Sequence, residues 1–212
     1  MNPLSPISSF FSRQTESGAL DLKSATQQWG KLAEPDLSQP HFHIRYLVVG
    51  LSGGGEESNA NQLAILGLTG EGFSAADSFA MDLPSNQKLD MELRDWMDFV
   101  SNSILVSFRA DYGLSVTRRI FQEACGVEVN PRWIDLALLL PELFPESQNQ
   151  CVTMADWLAF FELEDDRNDA MTDALATGRL LLCVLARASE KGYSSPNDLM
   201  RAEKARRWLW SH

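Results

Sequence analysis

The chain of 212 residues reads as an α/β fold: a mixed five-stranded sheet, a three-strand antiparallel meander plus two parallel strands, flanked by helices. Three observations predict it. Three apolar runs follow one another between residues 45 and 83, and Thr69-Gly70-Glu71, a glycine-containing hairpin connection, joins the last two. Short apolar runs then alternate with amphipathic segments, as parallel strands joined by helices do. From Met154 onward only helical periodicity is left.

Residues 1–40 form an N-terminal extension rich in Ser, Pro and Gln, irregular at Asn2-Pro3-Leu4-Ser5-Pro6-Ile7. Leu20–Leu32, which includes Trp29, has the apolar spacing of a short helix that docks on the body, and Pro35 and Pro40 punctuate the approach to the first strand. Strands are expected at Arg45–Leu51, Asn61–Leu68 and Gly72–Leu83. Met91, Leu93, Trp96, Met97 and Phe99, interspersed with acids, predict an amphipathic helix over Met91–Val100. Ile104–Phe108 is the fourth strand, and Leu114–Cys125 a helix stopped by Gly126. Pro131–Leu136 holds a short fifth strand, and Leu136–Leu143 a short helix ahead of Pro145. The last helices are expected at Met154–Glu162, Asp169–Lys191 and Asn197–Trp210. Residues 41–190 then make the main domain and 191–212 a C-terminal helix, with no internal repeat.

Hydrophobic residues at 44% and charged residues at 22% are ordinary for a globular domain. The balance is acidic, 18 Lys and Arg against 29 Asp and Glu, a net charge of −11. Such a surface repels a polyanion unless basic side chains or metal ions neutralise its phosphates. Cys125, Cys151 and Cys183 are isolated and form no Cys-x-x-Cys pair, which suits a reducing cytoplasm better than a disulfide framework or a zinc site. His41 and His43 have no Cys or carboxylate cluster to complete a ligand set. No apolar run is long enough to span a membrane, and no basic-then-apolar leader pattern opens the chain.

Three stretches carry the functional signal. Arg167-Asn168-Asp169-Ala170-Met171-Thr172-Asp173-Ala174 resembles the third motif of the DEDDh 3′–5′ exonucleases, the family of the proofreading epsilon subunit of DNA polymerase III. The family pattern is His-Asp-Ala-x-x-Asp-Ala, the His acting as general base and the second Asp as a metal ligand. The spacing is kept and Asp173 is retained, but Asn168 stands at the histidine position. An amide cannot take up a proton at neutral pH, and an imidazole can. Tyr46-Leu47-Val48-Val49-Gly50-Leu51-Ser52-Gly53-Gly54-Gly55 matches the first motif, a strand ending in Asp-x-Glu, with Gly50 and Ser52 where the two acids belong. Ser107-Phe108-Arg109-Ala110-Asp111-Tyr112-Gly113, followed by Arg118-Arg119, matches the second motif and puts Gly113 at the position of its metal-binding Asp. Trp133–Leu138 and Val152–Leu158 resemble two further landmarks, so the likeness runs over roughly residues 44–190 and implies a ribonuclease H-like fold.

The resemblance implies a bacterial, cytoplasmic, exonuclease-like domain in which three of the four metal-binding acids and the base are replaced. Two-metal hydrolysis needs Mg²⁺ or Mn²⁺ ions about 3.5–4 Å apart, and hard cations need carboxylate oxygens to offset their dehydration. Asp173 alone does not supply that charge. The expectation is a pseudoenzyme, with no cofactor, that acts as a binding or regulatory module for a protein partner or for weakly held nucleic acid. The rival is an active Mg²⁺- or Mn²⁺-dependent exonuclease or phosphodiesterase whose site is rebuilt around Asp173 with Asp111, Asp169 or the Glu56-Glu57 pair.

Blander readings compete at several positions. Asn168 has an N-cap preference, and Asp169 suits the positive end of a helix dipole. Gly53-Gly54-Gly55 lacks the Lys and Ser/Thr of a phosphate loop and reads as an ordinary turn. Arg109, Arg118 and Arg119 are expected on a solvated face. In the C-terminal helix, Trp208 and Leu209 are expected to pack on the body while the Lys and Arg side chains stay in water.

Overall fold

The computed structural model describes residues 21–53, 60–83, 89–147 and 150–210. Five strands, β1 (Tyr46–Ser52), β2 (Gln62–Thr69), β3 (Gly72–Asp82), β4 (Ile104–Ser107) and β5 (Trp133–Asp135), form one sheet in the order β3-β2-β1-β4-β5. The first three pair antiparallel, and β1–β4 and β4–β5 pair parallel, the mixed-sheet arrangement the sequence predicts. Around the sheet lie α1 (Leu22–Trp29), α2 (Leu89–Val100), α3 (Ala110–Cys125), α4 (Leu136–Leu143), α5 (Met154–Phe160), α6 (Ala170–Glu190) and α7 (Pro196–Trp210).

Alternation along β1 sorts the core into two layers. Tyr46 and Val48 point to the face covered by α4, α5, α6 and α7, where Leu139, Trp157, Leu180 and Leu199 are buried. Leu47 and Val49 point to the opposite face, under α1, α2 and α3. There Trp29, Trp96 and Phe121 pack ring against ring, with centroids 5.3–6.1 Å apart. The extension therefore contributes Leu22, Ala25 and Trp29 to this second layer, and Asp21 caps α1 by accepting the Ser24 N–H.

β3 departs from regular pairing. Leu66 faces Ser78 and Leu68 faces Phe73, so residues 74–77 stand opposite the single residue Gly67. A Cβ at Gly67 would collide with the carboxylate of Asp77. Through that gap Asp77 reaches Arg45 and accepts its Nε–H at 2.9 Å, while Arg45 also donates to the Phe99 carbonyl and stacks 4.7 Å from the Phe99 ring. The bulge trades ladder bonds for a clamp that ties the outer hairpin to α2.

Three details differ from the sequence expectation. α3 begins at Ala110 rather than Leu114, because Gly113, poor in a helix by itself, lies where close packing leaves no room for a side chain. The residue that caps α6 is Asp169, not Asn168: its carboxylate accepts the Thr172 N–H at 2.8 Å, completing a reciprocal capping box. In α7 the inward residues are Leu199, Ala202, Glu203 and Arg206, whereas Trp208 and Leu209 are 61% and 58% exposed. At 100° per residue Trp208 lies half a turn away from Leu199, so the helix cannot bury both.

Candidate functional site

The carboxyl ends of β1, β4 and β5 open into a cleft of about 870 Å³, walled by the N-terminal turns of α3 and α5 and by α7. Val49, Leu51, Leu138, Pro141, Val152 and Trp157 give it an apolar floor, while Arg109, Arg167, Arg206 and Arg207 stand among Asp111, Asp135 and Asp173. Strand carboxyl ends are where α/β sheets place ligands, and this size and mixture are those of a small-molecule site.

On the β1 side, Gly50 is buried beneath the first turns of α6. A Cβ there would run into the Ala170 carbonyl oxygen and the Ala174 amide nitrogen, and would come within 3.0 Å of the Ala174 Cα. The helix rests on the strand backbone to backbone, with Ala170 and Ala174, one turn apart, as the small residues that permit it. A carboxylate at position 50 has no space unless α6 lifts away. Asp173, one residue before Ala174 on the same helix, accepts the Leu51 N–H at 3.3 Å and lies 3.6 Å from Nη1 of Arg167. Arg167 is also held bidentate by Asp165, at 2.7 and 2.9 Å. Burial lifts Asp173 above the usual carboxylate range, and the Leu51 N–H and the Arg167 charge offset this in part. A fixed guanidinium is thus the cation already beside Asp173.

On the β5 side, a Cβ at Gly113 would lie 2.7 and 2.8 Å from the outer carbons of the Trp133 indole. The space that a longer side chain at position 113 would need is therefore taken by the indole. Asp111, weighed as a neighbour on a strand face, sits on α3, where the two-residue strand parity does not apply. Next to Trp133, Asp135 is buried and joins two helix starts, accepting the Ala137 N–H of α4 at 2.9 Å and the Ala110 N–H of α3. Burial pushes its carboxyl up to about 6; the two N–H bonds act against this, and the nearby charges of Glu203 and Asp111 add to it. From α7, Glu203 accepts the Asp135 N–H at 3.2 Å, and Arg207 bonds Glu203 at 2.9 Å and approaches Asp135 to 4.0 Å. The C-terminal helix is thereby latched onto the strand end and forms part of the cleft wall.

The five sequence-matched positions are not brought together as one ligand set. Asp173 faces the cleft, Gly50 and Gly113 are packed shut, and Ser52 and Asn168 border a separate polar depression with Asn61, Gln62 and Asp82. Ser52 donates its hydroxyl to Gln62 at 3.2 Å. Asp169, a candidate for a rebuilt centre, is spent on the α6 cap and held below the usual carboxylate range by Thr172. Glu56 and Glu57 lie outside the described residues. Of the arginines expected in solvent, Arg109 lines the cleft, and Arg118 is tied to the Val129 carbonyl and Asn130.

Sequence reasoning missed Arg167, Arg206, Arg207 and Trp133 as parts of the site. Arg167 was within reach, six residues before Asp173 on the same stretch. The spacing of Leu199, Ala202 and Arg206 on one helical stripe was a second usable signal. Nothing local announces that Trp133 covers Gly113, a contact across twenty residues.

The residues do not fit a pair of divalent ions. Among the described residues no three His, Cys, Asp or Glu side chains converge with ligand geometry, and the space beside Gly50 and Gly113 is filled by protein atoms. No helix among these residues is long and apolar enough to cross a membrane. No protein-family model matches the chain, and no curated protein matches it in sequence.

Proposed function

We propose that this protein is a degenerate DEDDh-type 3′–5′ exonuclease domain that has exchanged metal-dependent catalysis for binding, and that the cleft between β1, β5 and α7 is its ligand site. The observation that carries this reading is Gly50: the first-motif acid is absent and its space is occupied by the backbone of α6. Reversion of one residue would not restore a ligand there. The Arg167 guanidinium beside Asp173 supports the same reading, since a resident cation removes the electrostatic demand for a divalent one. The three free cysteines are in keeping with a reducing, cytoplasmic setting. A protein partner suits the net charge of −11 better than a nucleic acid held without metal.

The test is incubation of the full chain with a 3′-labelled single-stranded oligonucleotide in Mg²⁺ and in Mn²⁺. No nucleotide release is expected. Release abolished by Asp173→Ala would refute the proposal. One observation favours the rival, an active phosphodiesterase with a rearranged site: Asp111, Asp135 and Asp173 all line one cleft. Calorimetric titration with Mn²⁺ separates the two, because two tightly held ions belong only to the rival.

A further inference from the structure

We infer that His41 is a pH-sensitive pin that seats the turn between α6 and α7 on β1, and that acidification releases the turn and the start of α7. The pin lies outside the cleft and does not depend on what the cleft binds. His41 opens a single 3-10 turn, His41–His43, ahead of β1. Its ring bridges two elements. Nδ1 lies 2.6 Å from the Tyr46 hydroxyl on β1, and Nε2 lies 3.1 Å from the Tyr193 carbonyl oxygen beyond α6. A carbonyl oxygen only accepts, so Nε2 carries the ring proton. Nδ1 then offers a lone pair, and the Tyr46 phenol donates to it.

The main chain meets at the same place. The His41 N–H donates to the Ser194 carbonyl at 3.1 Å, and the Asn197 N–H of α7 donates to the Leu37 carbonyl at 3.1 Å. Protonation breaks this arrangement at one atom. An imidazolium donates from both nitrogens, so the Tyr46 hydroxyl, 1% exposed, must give up its acceptor while still buried. Burial is the main influence on the ring and pulls it below the usual imidazole range; the Tyr193 carbonyl and the charge of Asp198 act against this. Asp198, on the first turn of α7, is held down to about 2 by the Ser195 hydroxyl and by Arg201, and stays ionised throughout. Burial lifts Tyr46, which stays neutral. His43 is exposed and packs edge-on against Phe42. The folded ring thus holds its proton less tightly than the unfolded chain does. The pin is complete above about pH 6.5, the unfolded value, and is lost as pH falls through the folded one. Because α7 walls the cleft with Arg206 and Arg207, the pin fixes the start of that wall.

The experiment is hydrogen–deuterium exchange of the full chain at about pH 7.5 and about pH 5, corrected for the pH dependence of intrinsic exchange. An Asp135→Asn background removes the opposing titration farther along α7. Protection of the turn and the first residues of α7 should fall about five-fold or more on acidification. His43→Gln should behave in the same way. His41→Gln keeps a donor and an acceptor but cannot titrate, and its protection should fall less than about two-fold. Imidazole nitrogen shifts at neutral pH should show the Nε2–H tautomer for His41. Tyr46→Phe should raise the pKa of His41, because protonation no longer costs a phenol its acceptor.

Protection indifferent to pH, an equal fall in His41→Gln, or an Nδ1–H tautomer would overturn the inference. So would a His41 pKa that stays put or drops in Tyr46→Phe. The tautomer and the exchange measurement need no substitution at Tyr46, so a Tyr46 variant that does not fold leaves both tests standing.

Discussion

The two walls of the cleft are closed around their glycines in different ways. On the β1 wall the space a side chain at position 50 would need is filled by main chain, the Ala170 carbonyl and the Ala174 amide. On the β5 wall it is filled by the edge of an indole, Trp133 over Gly113. A backbone-to-backbone contact can be relieved only by moving a 21-residue helix that contributes Ala174, Leu180 and Val184 to the core. A side chain can turn, or be replaced. The β1 wall is therefore closed by the fold itself, and the β5 wall only by a neighbour.

The largest effect should come from the smallest addition on the β1 wall. Gly50→Ala is expected to lower unfolding stability by about 3 kcal/mol or more, above the usual range for one extra methyl, because rigid atoms resist it. A urea midpoint that places the variant within about 1 kcal/mol of wild type would break the contrast.

A similar magnitude is available from pH on the other wall, through Asp135. A carboxyl raised to about 6 in the fold holds its proton where the unfolded chain has released it. Its contribution to stability is complete below about pH 4, near the unfolded value, and is lost as pH rises through about 6. At about 1.4 kcal/mol per pKa unit, wild type should lose close to 3 kcal/mol across that window relative to Asp135→Asn. Asparagine keeps a carbonyl oxygen for the caps but cannot titrate. Parallel stability curves for the two proteins between pH 4 and 6.5 would contradict this.

At Gly113 the effect should be smaller and conditional. Gly113→Ala pits the Trp133 contact against a helix-propensity gain of about 1 kcal/mol, for a net loss of about 1–2 kcal/mol. In a Trp133→Leu background the same substitution should become stabilising. A double-mutant cycle measures the switch of sign, and simple additivity would show that the indole is not the obstacle.

Arg167→Ala should do least. Its ion pairs with Asp165 and Asp173 are partly exposed, and losing both should cost about 1 kcal/mol. Asp173 should titrate still higher once the guanidinium is gone, followed by carboxylate NMR. An unchanged or lower value would mean that Arg167 does not act on Asp173.

The fold was largely legible because it rests on periodicity. The alternation in β1, the glycine at the β2–β3 turn and the helical spacing in α6 are local patterns that tertiary contacts reinforce. That Gly50, Ser52 and Gly113 carry no carboxylate was equally legible, a plain fact of sequence. What fills the gaps was not. Ala170 and Ala174 hinted at close helix–strand contact, but Gly50 as its landing point depends on how α6 crosses β1. Trp133 over Gly113, and Glu203 meeting the Asp135 N–H from across the chain, depend on packing that no window of residues encodes. The fate of Trp208 and Leu209 went the other way. Apolar character suggested burial, and helix phase placed the aliphatic stem of Arg206 and the Glu203 carboxylate inward instead.

The crowding of residues 74–77 against Gly67 has a bearing on how this molecule keeps its own company. A long outermost strand is an invitation for another polypeptide to stitch itself on, and most of the usual deterrents, Lys and Pro, are absent from β3. The kink that carries Asp77 inward to Arg45 interrupts the row of outward amides midway. An incoming chain meets two short, misaligned stubs in place of one straight template, with a charged side chain turned inward between them.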